Sequence, residues 1–387
     1  MSSNWNVVPF TEAVDICDTL RKPINSSERA SRIKGKEQSE LYPYYGATGQ
    51  VGFIDDYITD GEYVLLGEDG APFLDAFSKK AYIISGKTWV NNHAHVLKSK
   101  TNNKFLCYYL NSFNYKGYVS GTTRLKLTQA EMKRIPVPVP PLSEQERIVA
   151  RIEELFSQLD AGVETLKKTK AQLAVYRQAV LKEAFSDCDD SVTMGSVATM
   201  IDPQPSHRTP PEFENGIPYI GIGDIDYNGK TIRFKNARKV NPSVYEDHLQ
   251  RYILRDGDFV MGKIGTIGKP FRLPLPQNYT LSANVILIQP DTGRINPEYL
   301  FWQFSSPLIT EQLMAGKNET SQPAFGIQKA RLLRIKMCSP KDQDRIVYSI
   351  REKISVCENI EQTVTLSLQQ AKAMRQSILK DAFEGRL

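Results

Sequence analysis

The most regular hydrophobic pattern in the chain runs through residues 144–185. Apolar residues recur there at steps of mostly three and four, at positions 148, 152, 155, 159, 163, 166, 173, 176 and 180. This spacing places them on one stripe of an α-helix. No proline interrupts the segment, so we predict one helix of roughly 63 Å at 1.5 Å per residue. Ser143 and Glu146 have the spacing of a capping box at its start.

Residues 342–383 repeat this segment at a constant offset of 198, without a gap. A fixed length is expected of a helix, because an inserted residue rotates everything after it by about 100°. Two long helices with narrow apolar stripes are expected to pair with each other. Lys341 stands at the position of Ser143, which predicts a less well capped second helix. The identical pairs include Gln145/Gln343, Arg147/Arg345, Ile148/Ile346, Val149/Val347, Ile152/Ile350, Glu154/Glu352, Arg177/Arg375, Gln178/Gln376, Leu181/Leu379, Lys182/Lys380, Ala184/Ala382 and Phe185/Phe383.

The remaining segments form a fainter repeat of mixed character. Asp60-Gly61-Glu62-Tyr63-Val64 matches Asp256-Gly257-Asp258-Phe259-Val260, and both are turns that enter a strand-like run. Apolar runs at 63–66, 81–84 and 285–288 predict buried strands, and 104–110 and 297–303 predict short helices. We therefore predict an α+β protein with two homologous mixed domains and two long helices. The predicted boundaries are 1–143 and 188–341 for the domains, and 144–187 and 342–387 for the helices.

Composition excludes several classes of protein. With 41% hydrophobic and 24% charged residues the chain is expected to fold into globular domains, and its apolar runs are too short for a membrane span. Five scattered cysteines without a C-x-x-C motif predict reduced thiols, with no disulfide framework or thiolate zinc site. The N-terminus lacks the blocks of a signal peptide. These features predict a cytoplasmic protein.

The net charge of +5 is confined to the two domains. The repeated segments carry seven acidic and seven basic residues in the first copy, and six of each in the second. Both helices are therefore neutral, and the excess positive charge lies in 1–143 and 188–341. If the chain binds a nucleic acid, these two segments are the expected contact regions.

Catalytic and metal-binding motifs are incomplete. Gly262–Lys269 has glycines at every third position and does not match a phosphate-binding loop. Ile220–Asp224 lacks the third glycine of a dinucleotide-binding turn. Asn296-Pro297-Glu298-Tyr299 differs by one residue from the Asn-Pro-Pro-Tyr motif of DNA amino-methyltransferases. His93 and His95 have no further ligand at a familiar spacing. We predict no catalytic residue and no metal site.

The polar loops of the two domains are the candidates for reading DNA. Amide, basic and imidazole side chains match base edges in the major groove, and hydroxyl groups suit phosphates. In the first domain the candidates are Tyr44, Tyr45, Thr48, Gln50, Glu68, Asp69, Asn91, Asn92, His93, His95, Thr122, Thr123, Arg124 and Lys126. In the second they are Asp224, Lys263, Thr266, Lys269, Ser282, Asn284, Lys317, Asn318, Thr320, Ser321, Gln322 and Phe325.

The whole layout resembles the specificity subunit of a type I restriction–modification system. The resemblance rests on Pro140-Pro141-Leu142-Ser143-Glu144-Gln145 before the first helix, and on the endings Arg177-Gln178-(x)2-Leu181-Lys182-Glu183-Ala184-Phe185 and Arg375-Gln376-(x)2-Leu379-Lys380-Asp381-Ala382-Phe383. Gly385-Arg386-Leu387 follows the second ending. Pro340-Lys341-Asp342-Gln343 departs from the proline-leucine entry, which leaves the first turn of the second helix open.

The resemblance implies an architecture and a set of partners. The helices would form an antiparallel coiled coil with a pseudo-twofold axis, and each domain would read one half of an asymmetric, bipartite target on double-stranded DNA. Two methylation subunits would bring S-adenosylmethionine, and restriction subunits would bring ATP and magnesium, so the chain itself would hold no cofactor. Two alternatives stay open: an enzyme like the DNA adenine methyltransferases, and a coiled-coil scaffold that binds proteins only.

Overall fold

The computed structural model describes residues 5–264, 267–315 and 325–387. They divide into two units, one of Met1–Lys168 with Val364–Leu387 and one of Thr169–Thr363. No helix in the described part of the chain has the length and apolar character needed to cross a membrane. Each of the two long helices is divided between the two units.

The first unit contains two four-stranded sheets. One is antiparallel with the order β2-β9-β6-β7, and the other has the order β4-β3-β8-β5 with a parallel β3–β8 pair. A separate antiparallel pair, β1–β10, joins the beginning of the domain to its end. The strands are β1 Val7–Pro9, β2 Val14–Ile16, β3 Tyr42–Gly46, β4 Gly49–Ile54, β5 Thr59–Asp60, β6 Tyr63–Gly67, β7 Ala81–Ile84, β8 Lys87–Val90, β9 Ala94–Ser99 and β10 Pro136–Pro138. The helices are α1 Phe10–Ala13, α2 Ser26–Ile33, α3 Asn103–Ser112, α4 Gln129–Lys133 and the first part of α5 Leu142–Ala184.

The second unit repeats this plan. Its antiparallel sheet has the order β12-β20-β17-β18, its mixed sheet the order β16-β13-β19, and β11–β21 forms the separate pair. The strands are β11 Asp190–Thr193, β12 Ala198–Ile201, β13 Ile217–Ile220, β14 Ile225–Asp226, β15 Thr231–Ile232, β16 Arg238–Val240, β17 Phe259–Gly262, β18 Pro270–Arg272, β19 Thr280–Leu281, β20 Val285–Pro290 and β21 Arg334–Met337. The helices are α6 Pro242–Leu249, α7 Pro297–Phe304, α8 Pro307–Ala315, α9 Ile327–Arg331 and part of α10 Pro340–Phe383.

The two domains share strand order and register. The parallel pairs place Tyr45 beside Val90 in the first domain and Ile220 beside Leu281 in the second. The antiparallel pairs then place Ala94 opposite Gly67, and Val285 opposite Gly262. This correspondence confirms the predicted α+β architecture with two homologous domains, and it defines which residues are equivalent.

The long helices pair in opposite directions within each unit. In the first unit Ile152 and Phe156, near the start of α5, share a core with Leu379 and Ala382 near the end of α10. In the second unit the end of α5 meets the beginning of α10, in a core that includes Leu181, Phe185, Val347, Ile350 and Ile354. The pairing is therefore antiparallel, as the resemblance implied.

One position of the predicted stripe is wrong. Tyr176, assigned to the stripe, is exposed, while Phe156, which lay outside it, is buried. The reason is that α5 contacts a domain as well as its partner helix, so its buried face changes along its length.

The helix starts differ from the prediction as well. Ser143 lies inside the first turn of α5, and the amide of Glu144 donates to the carbonyl of Pro141 rather than to a capping side chain. The second helix is the one with a serine cap, because the amide of Asp342 donates to Ser339 Oγ at 3.2 Å. Pro340 occupies the first helical position, where its missing N–H costs nothing.

Candidate nucleic-acid interface

Four predicted loops of the first domain meet at one end of its sheets. The amide of Glu68 donates to the carbonyl of His93 at 2.8 Å, and the amide of Asn91 donates to Tyr45 at 3.0 Å. The loop at 120–127 joins them, because the amide of Gly70 donates to Leu125 at 2.9 Å. Backbone hydrogen bonds therefore hold loops distant in sequence on one surface.

Charged side chains line this first surface. Arg124 Nε lies 2.8 Å from Asp69 Oδ1, and Lys126 Nζ lies 3.6 Å from Glu68 Oε1. Glu68 also pairs with Arg21. Arg124 and Lys126 remain more than half exposed, so both cations can turn to a phosphate or a base without losing a buried partner.

Several predicted contact residues lie in the interior instead. Tyr44, Asn91 and His95 are buried. His95 Nδ1 lies 2.8 Å from Asp18 Oδ2 and its Nε2 lies 3.1 Å from the carbonyl of Leu127. Strand β9 begins at Ala94 and turns His95 into the domain, so it positions the loops rather than contacting a ligand. The exposed candidates are Thr48, Gln50, Asn92, Thr122, Thr123, Arg124 and Lys126, and the half-buried ones are Tyr45, Glu68, Asp69 and His93.

The second domain brings the equivalent loops together. The amide of Lys263 donates to the carbonyl of Asn284 at 2.8 Å, and Ile222 N donates to Asn284 Oδ1 at 3.0 Å. Phe325 N donates to the carbonyl of Lys263 at 2.9 Å. Lys263 Nζ forms an ion pair with Asp202 at 2.8 Å. The same strand ends therefore carry the candidate surface in both domains.

The predicted residues of this second surface differ in their exposure. Lys269 is exposed and lies 4.3 Å from the ring of Tyr227, while Lys263 and Asn284 are half-buried. Asp224 accepts a hydrogen bond from the amide of Gly221 in its own turn. Ser282 and Phe325 are buried, and so are placed to support the loop. Thr266, Lys317, Asn318, Thr320, Ser321 and Gln322 lie outside the described residues.

Comparisons with known proteins give one consistent result. Residues 3–174 match the family model of the type I restriction modification DNA specificity domain. A type I restriction enzyme specificity subunit of Haemophilus influenzae is 29% identical over 94% of this chain and 91% of its own length. The EcoBI specificity subunit of Escherichia coli is 23% identical over 76% of this chain and 67% of its own. The chain is a relative of the type I specificity subunits.

Solved structures agree on the fold. A chain from a structural study of complex assembly and conformational transition in the type I restriction–modification system has a TM-score of 0.71 at 16% identity, and the match covers 100% of this chain and 99% of that one. The HsdS subunit of Thermoanaerobacter tengcongensis has a TM-score of 0.52 at 16% identity, over 100% and 98% of the two chains. Specificity subunits are the non-catalytic component of type I systems, in agreement with the expected absence of catalysis.

The specificity-subunit fold places further polar residues beside both surfaces that sequence reasoning missed. Ile16 pairs with Leu97 and Met200 with Ile288, and an aspartate follows two residues later in each domain, Asp18 and Asp202. Because the two aspartates hold equivalent positions, a comparison of the residues that follow β2 and β12 is the signal that would have found them. They anchor the surface in both domains.

Asp18 is the centre of a hydrogen-bonded network. Besides His95 it accepts the amide of Val96 at 2.9 Å and Gln129 Nε2 at 3.1 Å, and it pairs with Arg21 at 3.1 Å. Burial alone would raise the pKa of Asp18, but the bond from His95 and the other donors outweigh it and hold that pKa below its ordinary value. The charged carboxylate is therefore part of the folded surface.

His248 has a comparable supporting role in the second domain. Its Nδ1 lies 2.5 Å from Thr280 Oγ1, and its Nε2 lies 2.6 Å from Gln204 Oε1. Burial lowers its pKa, which favours the neutral ring. A neutral ring can donate to Gln204 while accepting from Thr280, so it ties the loop after β12 to the sheet.

One pair of equivalent positions on the two surfaces carries opposite charges. Glu68 and Lys263 each donate their backbone amide to the strand-entry carbonyl, that of His93 and of Asn284 respectively. One side chain is acidic and the other basic. The same backbone frame therefore carries different side-chain chemistry in the two domains.

The described residues contain no group of three or more His, Cys, Asp or Glu side chains arranged to hold a metal ion. His93 lies 3.6 Å from Asp69, whereas His95 points inward to Asp18. The two imidazoles therefore do not act as a ligand pair in this structure.

The long helices carry a second kind of surface. Large apolar side chains are exposed along them, which monomeric proteins seldom arrange in series. In the first unit these are Leu142, Leu366 and Met374, and in the second they are Val175, Tyr176, Tyr348, Val356 and Ile360.

Proposed function

We propose that the chain reads a bipartite DNA target, with one half recognised by each domain, and directs methylation and restriction subunits to it. The observation that carries the proposal is the convergence of predicted loops on one polar surface in each domain, with opposite charges at the equivalent positions of Glu68 and Lys263. Positive side chains such as Arg124 and Lys269 would contact phosphates or base edges. Asp69 would hold Arg124 in place before DNA binds, and the ring of Tyr227 would do the same for Lys269.

The long helices serve as docking surfaces in this proposal. Their exposed apolar residues would be covered by two methylation subunits, which would bring S-adenosylmethionine. Restriction subunits would add ATP and magnesium, and the assembled complex would act in the cytoplasm. The near-equal numbers of acidic and basic residues on both helices keep DNA contacts with the domains.

The proposal is tested by mapping methylated adenines in cells that carry the assembled system. The first domain, residues 1–143, is exchanged for that of a relative with a different target, and the rest of the chain is kept. The expected result is that one half of the methylated sequence changes and the other half stays the same. A change in both halves, or in neither, contradicts the assignment of one half to each domain.

A control separates this proposal from the enzymatic alternative. The isolated chain is incubated with radiolabelled S-adenosylmethionine and DNA, and no methyl transfer is expected without partner subunits. DNA binding by the chain or its complex is expected to weaken strongly with salt, because counterions are released from the phosphates. Salt-independent behaviour would favour a scaffold that binds proteins only.

A further inference from the structure

Each domain rests on the beginning of its following long helix through one short helix. These short helices, α3 and α7, begin at equivalent asparagine caps. Asn102 Oδ1 accepts the amide of Phe105, and Asn296 Oδ1 accepts the amides of Glu298 and Tyr299. With the caps aligned, Lys104 in α3 stands at the position of Glu298 in α7.

The long helices show the same reversal at the facing position. The constant offset of the repeat makes Glu153 of α5 equivalent to Arg351 of α10. Lys104 Nζ lies 2.7 Å from Glu153 Oε1 in the first unit, and Arg351 pairs with Glu298 in the second. The same ion pair is therefore built twice, with its two charges exchanged.

In the second pair Glu298 is embedded, whereas Arg351 is 63% exposed. The Glu298 side chain is only 16% exposed, and it also lies 3.2 Å from Arg272 and accepts from Trp302 Nε1 at 3.2 Å. Both residues of the first pair are 42–50% exposed. A like charge facing Glu298 would therefore be felt more strongly than one facing Lys104, because solvent screens the latter better.

The seam is the contact between each domain and the beginning of its following long helix. Most of its other contacts are the same in both units. Gln145 and Gln343 are both buried, and each donates to a carbonyl five residues before it. The apolar pairs Ile148/Ile346, Val149/Val347 and Ile152/Ile350 are identical. A domain placed on the other helix would find these contacts again, but Lys104 would face Arg351, and Glu298 would face Glu153.

One apolar position differs in the same sense as the charges. Phe156 of α5 packs edge-on against Tyr108 of α3, with ring centroids 5.8 Å apart. The equivalent residues are Ile354 of α10 and Trp302 of α7. A larger ring on the domain thus accompanies a smaller residue on the helix, and an exchanged domain would also meet the wrong volume.

We propose that the charge-reversed pair makes each recognition domain fit its own long helix better than the other one. The pair thereby opposes the transfer of a domain from one position to the other. The order of the two domains along the chain is then a property of the seam and not only of gene order. A rearrangement that moves a domain without changing position 153 or 351 places like charges opposite each other. The inference concerns packing inside each unit and does not depend on DNA recognition.

A double-mutant cycle on the full-length chain tests the pair itself. The variants are K104E, E153K and K104E/E153K, followed by thermal unfolding. Each single change is expected to lower Tm by about 1–4 °C, and the double variant is expected to recover most of that loss. The recovery should shrink in about 1 M salt, where the screening length is about 3 Å. E164K, alone and combined with K104E, is the matched control, because it makes the same charge change on α5 at a residue that pairs with Lys167 of its own helix.

A chimera tests whether the charge pair matches each domain to its own long helix. Residues 1–143 replace residues 188–341, which puts Lys104 over Arg351 in the second unit. In the natural chain R351E is expected to lower Tm, since Glu298 keeps Arg272 but loses Arg351 and meets a like charge there. In the chimera the same R351E change is expected to raise Tm or soluble yield. An effect of the same sign in both backgrounds overturns the proposal.

If the chimera is insoluble both with and without R351E, the double-mutant cycle alone tests the proposal. Losses of Tm that simply add in K104E/E153K mean that the two charges are not coupled, and the proposal is then wrong. The proposal is supported if E153K restores Tm in the K104E background and E164K in the same background does not. DNA binding is not needed for any of these readouts, so failure here leaves the proposed function untouched.

Discussion

Replacement of Gln145 by alanine tests how the first domain is fixed to its long helix. The side chain is 1% exposed. Its Nε2 donates to the carbonyl of Pro140 at 2.9 Å, and its Oε1 accepts from Thr101 Oγ1 at 2.9 Å. The alanine variant loses both hydrogen bonds and leaves the buried Pro140 carbonyl without that donor.

The size of the effect follows from these contacts. Two net hydrogen bonds of about 1 kcal/mol each, together with the cost of an unsatisfied buried carbonyl, give about 2–4 kcal/mol. For a unit of this size each kcal/mol corresponds to about 2–4 °C, so Tm of the first unit is expected to fall by roughly 4–16 °C. Q343A is expected to behave alike in the second unit, because Gln343 donates to Cys338 at 3.0 Å and accepts from Asn296 at 2.8 Å.

Differential scanning calorimetry of the full-length chain measures this loss, and amide hydrogen exchange assigns it to a unit. Gln158 is the matched control, because it is exposed on the same helix and hydrogen-bonds to Glu154 of that helix; Q158A is expected to cost less than about 0.5 kcal/mol. A loss for Q145A no greater than that for Q158A would show that the glutamine is not an anchor.

Three further predictions address the surfaces and the helices. Asp18 has a folded pKa below its ordinary value, so its contribution to stability is present above about pH 4 and is lost as the pH falls through the folded pKa; D18N is expected to flatten the acid limb of a Tm–pH profile, and an unchanged profile counts against the network. R124A is expected to weaken DNA binding by the complex about 5–30-fold and to reduce its salt dependence, measured by anisotropy at several salt concentrations; equal affinity at all salts would remove Arg124 from the interface. Insertion of four residues in the middle of α5, close to one helical turn, is expected to change the gap of the recognised sequence but neither half, as read by methylation mapping, and an unchanged gap would show that helix length does not set it.

The long helices and the repeated domains were predictable because their signals are local or periodic. A proline-free stripe repeated at constant length predicts helices over most of 142–184 and 340–383. Apolar runs such as 63–66 and 285–288 correctly predicted strands. The polar loops between the strands lie close together because neighbouring strands of a sheet end at the same edge.

Burial of individual polar residues was not predictable from the sequence. His95 and Asn91 have the composition of a reading loop, yet the register of β9 turns His95 inward to Asp18. Asp18 lies 77 residues away from His95 in the chain, so neither residue shows the other in a local pattern. The serine cap of α10 was missed for a simpler reason. Ser339 stands two residues before Lys341, the position that the repeat assigned to the cap.

Each long helix is divided between the two units, and this has a consequence for synthesis. The hydrophobic side chains of Ile148, Ile152 and Phe156 emerge from the ribosome about 230 residues before Leu379 and Ala382, which complete the core around them. The first unit therefore cannot complete its core until the second has been made, although closing such a long loop costs little more entropy than closing a shorter one. A nascent chain of this design exposes an apolar helix face for most of its translation, and it is during that interval, rather than after release, that it depends most on protection from aggregation.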